Sequence, residues 1–352
     1  MDKNNIIGFS LIAAVLIGYY IWSQPSAEQV ATQKQKDSIE NVARMKAENA
    51  AKLAAQQKTA QAKAAAEADT TALFHAALQG KAQDVTLKNK DLSLTLNTKG
   101  GVVTKAVIKN FEDRNDNKDV TLFDGKTQSL NFALAAKSVN INTADLYFTP
   151  SERTDSTVTM TAEAGKGKAL IIRYRLGSDY MLHTQLQAVG LGGDFAPSAT
   201  QMDVQWKDLI RQQERGFTFE NRYSSLTYHK ADGGTDYLSE AKEVKDETIE
   251  KKIDWVAFKN QFFSAVMIAK NDFAENAVMT SIPQEKGSGY LKQYEAKMKT
   301  FFDPTGATPS EFDFYFGPND FRLLKRIEKE CSFNKDLEMQ RLVYLGWPLF
   351  RI

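Results

Sequence analysis

The chain carries three histidines, His75, His183 and His229, a single cysteine, Cys331, and 44 carboxylates, and any acid–base, nucleophilic or metal chemistry must be built from these. The histidines fall in a linker, a strand and a turn, with no ligand spacing between them, so they read as solvated or packed side chains. One cysteine rules out an intramolecular disulfide and a cysteine-rich metal site, and Cys331 reads as an inert packing thiol. Gly165-Lys166-Gly167-Lys168 lacks the phosphate-loop spacing and Gly287-Ser288-Gly289 lacks the nucleophile-elbow pattern, so both read as turns. A glycosidase-type carboxylate pair need not be close in sequence, and abundance alone singles out no pair. No catalytic, cofactor-binding or metal-binding residue is assigned, and no cofactor is implied. Phe217, Phe219, Tyr223 and Tyr228, with Phe258, Phe262 and Phe263, have the spacing of sandwich core or of a groove for an apolar ligand or peptide.

At 352 residues and 42% hydrophobic content the chain holds enough for an anchor and one large domain. With 45 basic against 44 acidic residues and a net charge of +1, no basic block is present to recruit a phosphate backbone, and nucleic acid is excluded as a partner.

What would position any site begins at the N-terminus. Residues 6–22, IIGFSLIAAVLIGYYIW, hold about seventeen residues without a formal charge, long enough to cross a bilayer as a helix. Ile6, Leu11 and Leu16 line the apolar run, and Tyr19 and Trp22 stand at its distal end, where aromatic rings favour the headgroup boundary. Lys3 precedes the span and no Lys or Arg follows until Lys34, which predicts a cytoplasmic N-terminus and an exported remainder. The competing reading is a cleaved signal peptide, but Ser23, Gln24, Pro25 and Ser26 make a poor cleavage site. Residues 1–24 are therefore expected to be a membrane anchor. Residues 25–83, rich in Ala, Lys, Glu and Gln, have strong helical preference but almost no apolar face, and are expected to be a tether. Fully helical, it would span roughly 80 Å.

From Asp84 the period changes to two. Leu92, Leu94 and Leu96 alternate with Ser93, Thr95 and Asn97, Thr98-Lys99-Gly100-Gly101 supplies a turn, and residues 102–108 return as hairpin partner. Further strands are expected at 120–123, 157–161, 170–176, 180–187, 201–206, 216–219 and through the apolar stretch 255–268, with a turn at Asp232-Gly233-Gly234. Phe312, Phe314 and Phe316 alternate into Gly317-Pro318, after which Phe321, Leu324 and Ile327 take helical spacing. The fold class is mostly β, an antiparallel sandwich over residues 84–325 with C-terminal helices.

Read together, the N-terminal MDKNNIIGFSLIAAVLIG, then NKDLSLTLNTKGGVV, VTLFD, DWVAFKNQFFSAVMIA, FDFYFGPNDFRLLK and LVYLGWPLF resemble the YidC family of bacterial membrane protein insertases. The resemblance implies a first transmembrane helix, a periplasmic β-supersandwich similar to galactose mutarotase folds, and a helix leading back to the membrane. It also implies an insertase and folding chaperone, not an enzyme, with nascent membrane proteins, the Sec translocon with its accessory subunits and the lipid bilayer as partners. The family's further transmembrane bundle has no counterpart before Ile352, so the chain reads as an N-terminal portion. The alternative is a membrane-tethered carbohydrate-binding or mutarotase-like protein, whose chemistry would need a carboxylate base and histidine acids in one cleft.

Residues 326–352 are expected to form a helical and interfacial segment. Leu342, Leu345, Leu349 and Phe350 come at helix-like intervals beside Trp347, with Arg351 on the polar side, a composition suited to the headgroup plane or to a helix docked on the sandwich.

Overall fold

The computed structural model describes residues 72–113, 117–238, 244–331, 333 and 335–343. The expected span at 6–22 and the residues Leu345, Trp347, Leu349, Phe350 and Arg351 lie outside them, and among the described residues no helix is long and apolar enough to cross a membrane.

Alternation produces the sheets. In β2 (Leu92–Asn97) the three leucines are buried and their polar neighbours half-buried, as a pleated strand with one face on a core requires. With β1 (Asp84–Lys88), β3 (Val103–Glu112) and β4 (Asp119–Phe123) it forms a four-stranded antiparallel sheet in chain order. The β2–β3 turn needs Gly101, whose φ is 68°, because a Cβ there would stand 2.8 Å from the Phe148 ring.

The remaining strands are β5 (Ser129–Ala135), β6 (Asn140–Asn142), β7 (Thr149–Ser151), β8 (Thr157–Gly165), β9 (Lys168–Leu176), β10 (Met181–Val189), β11 (Gln201–Arg211), β12 (Ser225–Lys230), β13 (Thr235–Tyr237), β14 (Lys245–Ile249), β15 (Ile253–Lys259), β16 (Phe263–Phe273), β17 (Ala277–Pro283), β18 (Tyr290–Phe301) and β19 (Ser310–Pro318). They form one antiparallel sheet of 15 strands among the described residues. Its middle is a seam: β16 and β18 share only the pair Phe273 and Thr300. On one side run β6-β5-β11-β18-β17-β14, on the other β13-β12-β15-β16-β19-β10-β9-β8-β7. These two leaves face each other. Trp206 of β11 stacks on Phe258 of β15 at 4.0 Å between centroids, and Phe132 of β5 meets Phe312 of β19 at 5.4 Å. The four-stranded sheet joins the same core, with Phe123 edge-on to Phe316 at 5.5 Å and the Tyr174 hydroxyl donating to the Gly101 carbonyl at 2.8 Å. The expected antiparallel supersandwich is what the chain forms.

Several local expectations are corrected. Residues 216–219, expected as strand, begin helix α1 (Phe217–Arg222): the Gly216 carbonyl accepts the N–H groups of Phe219 and Glu220, and local hydrogen bonding outweighs the alternating aromatics. The apolar stretch 255–268 is two strands, folded at Asn260, whose Oδ1 accepts the N–H groups of Phe262 and Phe263 at 3.0 and 2.8 Å. His229 is not in a turn but in β12, where it is buried. The core starts before Asp84, since Phe74 and Ala77, assigned to the tether, are buried around a 3-10 helix at His75–Leu78. At the other end a boundary at 325 cuts through helix α2 (Phe321–Glu330), whose Leu324 and Ile327 are buried while Phe321 is exposed. Leu342, grouped with the interfacial residues, is buried in a 3-10 helix at Met339–Leu342.

Candidate functional site at the C-terminal helix

Helix α2 is set in place by two motifs lying far apart in the chain. Asp320 caps it, its Oδ1 accepting the Leu323 N–H at 2.7 Å. Just before it, Asn319 donates its backbone N–H to the Phe262 carbonyl at 2.6 Å and its side-chain amide to the carbonyls of Asn260 and Gln261, both at 3.3 Å. Its Oδ1 in turn accepts the Ser264 hydroxyl at 2.6 Å. The β15–β16 turn and the start of α2 are thus tied by polar contacts that leave few backbone groups unpaired. Lys259, at the same turn, donates to the Tyr223 carbonyl at 2.9 Å, close to the C-terminal end of α1, where a cation is favoured.

The chain after α2 is held by a clasp. Glu328 Oε1 accepts the N–H groups of Leu337 and Glu338, each at 2.9 Å, and the Trp255 indole donates to the Leu337 carbonyl at 2.7 Å. Lys335 donates to Asp254 Oδ1 at 2.9 Å and to the Ala269 carbonyl at 3.1 Å, and pairs with Asp272. His229 lies nearly parallel to Trp255, with Nδ1 2.9 Å from Asp254 Oδ2 and Nε2 3.8 Å from Glu338 Oε2. Burial alone would raise the Asp254 carboxyl, but hydrogen bonds from His229 and Lys335 bring it down to about 2. Burial, with Asp254 beside it, pushes Asp272 the other way. Leu337, Met339 and Leu342 then insert into the core. Chemically this cluster is a fastening, since its charges are directed at one another and at backbone groups.

A second histidine–carboxylate pair faces a groove. Strand register places Thr157, Arg175, His183 and Asp313 in one row across β8, β9, β10 and β19, and Thr159, Arg173, Gln185 and Glu311 in the next. His183 Nδ1 stands 2.6 Å from Asp313 Oδ1, and the groove encloses about 440 Å³. It holds one histidine, whose Nδ1 is engaged; His229 is built into the clasp. Behind Asp313 the Cys331 thiol lies 3.5 Å from Oδ2, pushed up to about 12 by burial and by that carboxylate, so it is a packed, protonated thiol at neutral pH. Among the described residues no group of His, Cys, Asp and Glu is arranged to hold a metal ion.

The aromatic series separates. Phe258 and Tyr228 are buried in the sandwich, while Phe262 is exposed beside α2 and lines a groove of about 680 Å³ with Phe111, Phe263 and Leu323. The sequence motifs contained both sides of the Asn260–Asn319 tie and, of the clasp, Asp254 and Trp255, but not His229, Asp272, Glu328 or Lys335, and only the fold shows that these meet. The expected anchor residues Ile6, Leu11, Leu16, Tyr19 and Trp22 and the interfacial set from Leu345 to Arg351 lie outside the described residues.

Residues 84–350 match the family model described as the YidC periplasmic domain. The chain is similar along its whole length to the membrane protein insertase YidC of Phocaeicola vulgatus, 45% identical over 353 residues, and to that of Bacteroides fragilis, 40% identical over 353 residues. It spans about half the length of these curated relatives, 56% of each. Among solved structures, a putative aldose 1-epimerase from Escherichia coli covers 68% of the chain and is itself wholly covered, at 9% identity and a TM-score of 0.43. The periplasmic domain of Thermotoga maritima YidC covers 70% of the chain, with 89% of that domain matched, at 10% identity and a TM-score of 0.31.

Proposed function

Since the chain belongs to the YidC family of membrane protein insertases, we propose that it is the anchored, periplasmic part of such an insertase and serves the insertion and folding of inner-membrane proteins. The observation that carries this reading is 45% identity sustained over the full chain. In this reading Ile6, Leu11, Leu16, Tyr19 and Trp22 belong to a helix that crosses the bilayer with the N-terminus cytoplasmic, and the tether carries the sandwich into the periplasm. Leu345, Trp347, Leu349, Phe350 and Arg351 lie in the headgroup plane, where the chain returns to the membrane. Nascent membrane proteins are the clients, and the Sec translocon with its accessory subunits is a partner.

The clasp gives this reading a physical role for the sandwich. Trp255, Glu328 and Asp254 fix the described residues between 335 and 343 to the sandwich, so that in this reading the chain leaves the domain from a fixed point.

The test uses the full-length protein that carries this chain, expressed in cells depleted of their own insertase. It should restore insertion of an inner-membrane client, and protease supplied from the periplasmic side should cut within residues 27–71 while sparing the sandwich. Stable expression without restored insertion contradicts the function, and protection of the tether contradicts the orientation.

A further inference from the structure

The groove beside α2 joins two features: aromatic rings left exposed, and a rim in which carboxylates outnumber cations. Phe262 is 45% exposed and Phe111 38% exposed. Phe111 reaches the groove because β3 is irregular there. Asn110 has a φ of 66° and the pairing with β4 shifts between Ile108 and Glu112, so the alternation breaks and Phe111 turns to lie edge-on to Phe263 at 5.4 Å between centroids. Around these rings stand Asp91, Glu112, Glu214 and Asp320, against one cation, Arg326.

The carboxylates of this side act on a tyrosine that lines the groove and on a glutamate behind it. Burial raises the Tyr180 hydroxyl, and Asp91 and Asp179 raise it further. Burial likewise brings Glu220 up to about 7, with Glu214 and Asp113 adding to the effect against the backbone N–H groups that it accepts. The volume, about 680 Å³, lies within the range of roughly 300–1,000 Å³ typical of ligand grooves.

We propose that this groove docks an extended polypeptide segment in which one or two large apolar side chains are flanked by Lys or Arg, the apolar groups seated on Phe111 and Phe262 and the cations against Glu112 and Glu214. The inference rests on the insertase reading only for the source of the segment, a client membrane protein in which apolar and basic residues adjoin. An aromatic floor alone would accept any apolar chain, and the acidic rim selects among them by sign.

The probe is a fluorescein-labelled peptide with two Phe flanked by Lys, compared with one of the same length in which Glu replaces each Lys. Both are titrated by anisotropy into the full chain in nanodiscs of neutral lipid. The cationic peptide should bind at least ten-fold tighter than the acidic one, with affinity falling as salt rises toward a Debye length of about 3 Å at 1 M. The double charge reversal Glu112→Lys and Glu214→Lys should weaken it on the order of ten-fold or more, and Phe111→Ser with Phe262→Ser together on the order of ten-fold.

Equal affinity for the two peptides, or binding untouched by both sets of substitutions, overturns the proposal. Signal with the cationic peptide only when the nanodiscs carry anionic lipid assigns it to the bilayer and overturns the groove as well. All four positions are at the surface of the groove. Should the phenylalanine pair fail to fold, the charge pair decides. Client insertion can stand while peptide binding is lost, so failure of the groove and failure of the insertase reading are told apart.

Discussion

Two histidine–aspartate pairs of the same chemistry sit on strands of the same sheet, and they do different things. His229 and Asp254 are 2% and 5% exposed, lie against Trp255 and take up Lys335, so the pair is one knot in a cluster that binds residues 335–343 to the sandwich. His183 and Asp313 are closer still, at 2.6 Å, but His183 opens onto a groove rimmed by Arg173, Gln185 and Glu311. The difference is in what lies beyond the pair. Around the first pair indole, backbone carbonyl and ammonium consume the charges in holding a segment of chain; in the second Asp313 is as buried, but His183 has one edge on the groove and forms part of a polar wall. Residue type alone therefore says little about role, and connection decides it.

That contrast predicts a ranking of effects. The largest should follow Trp255→Ala, which removes a buried indole, its hydrogen bond to Leu337 and its contact with His229; the loss should be about 3–5 kcal/mol by chemical denaturation. Next is Asp254→Asn, which leaves Lys335 and His229 without their shared carboxylate and should cost about 3 kcal/mol. If it cost no more than a surface substitution, the clasp would not be the fastening described. His183→Ala, which takes the imidazole from the buried Asp313 carboxylate, should cost about 1–3 kcal/mol. The smallest effect should come from Lys270→Ala, which breaks the half-exposed pair with Glu311 at 2.6 Å and should cost under about 1 kcal/mol, fading with salt.

Acid sharpens the same comparison. Asp254 ionises at about 2 in the fold, below the unfolded value of about 3.9. A depressed carboxylate contributes stability that is present above the unfolded value and is lost as pH falls through the folded one. Wild type should therefore lose the clasp's contribution between about pH 4 and pH 2, and Asp254→Asn should flatten that part of the profile. A wild-type profile already flat over this window would mean that Asp254 is not held ionised by its partners.

Much of the sheet architecture was legible from alternation alone, because the leucines of β2 can be buried together only as a strand with one face inward. The helix at 217–222 was not, since two aromatics at a spacing of two mimic a strand and only the hydrogen bonds of Gly216 reveal the turn. The hairpin within 255–268 was hidden for a related reason: strands buried on both faces show no period, and the fold at Asn260 depends on a single side-chain oxygen. The clasp was beyond any reading of spacing. Asp254, Asp272 and Lys335 converge from three places in the chain, and charged residues in a sequence read by default as solvated. The family resemblance marked residues 254–269 and 312–325 as belonging together in one protein without indicating that they touch. The positive φ of Asn110, which turns Phe111 into the groove, carried no signal either.

The described residues between 321 and 343 are part of the sandwich and not a loose exit from it. Hydrogen exchange of the Leu337 and Glu338 amides, measured in the intact chain, tests it most directly, because both donate to the carboxylate of Glu328 inside the clasp. They should exchange as slowly as amides of β15 and β16, and both should accelerate together in Asp254→Asn. Exchange at the rate of the exposed turn at Gly233-Gly234 would contradict the account.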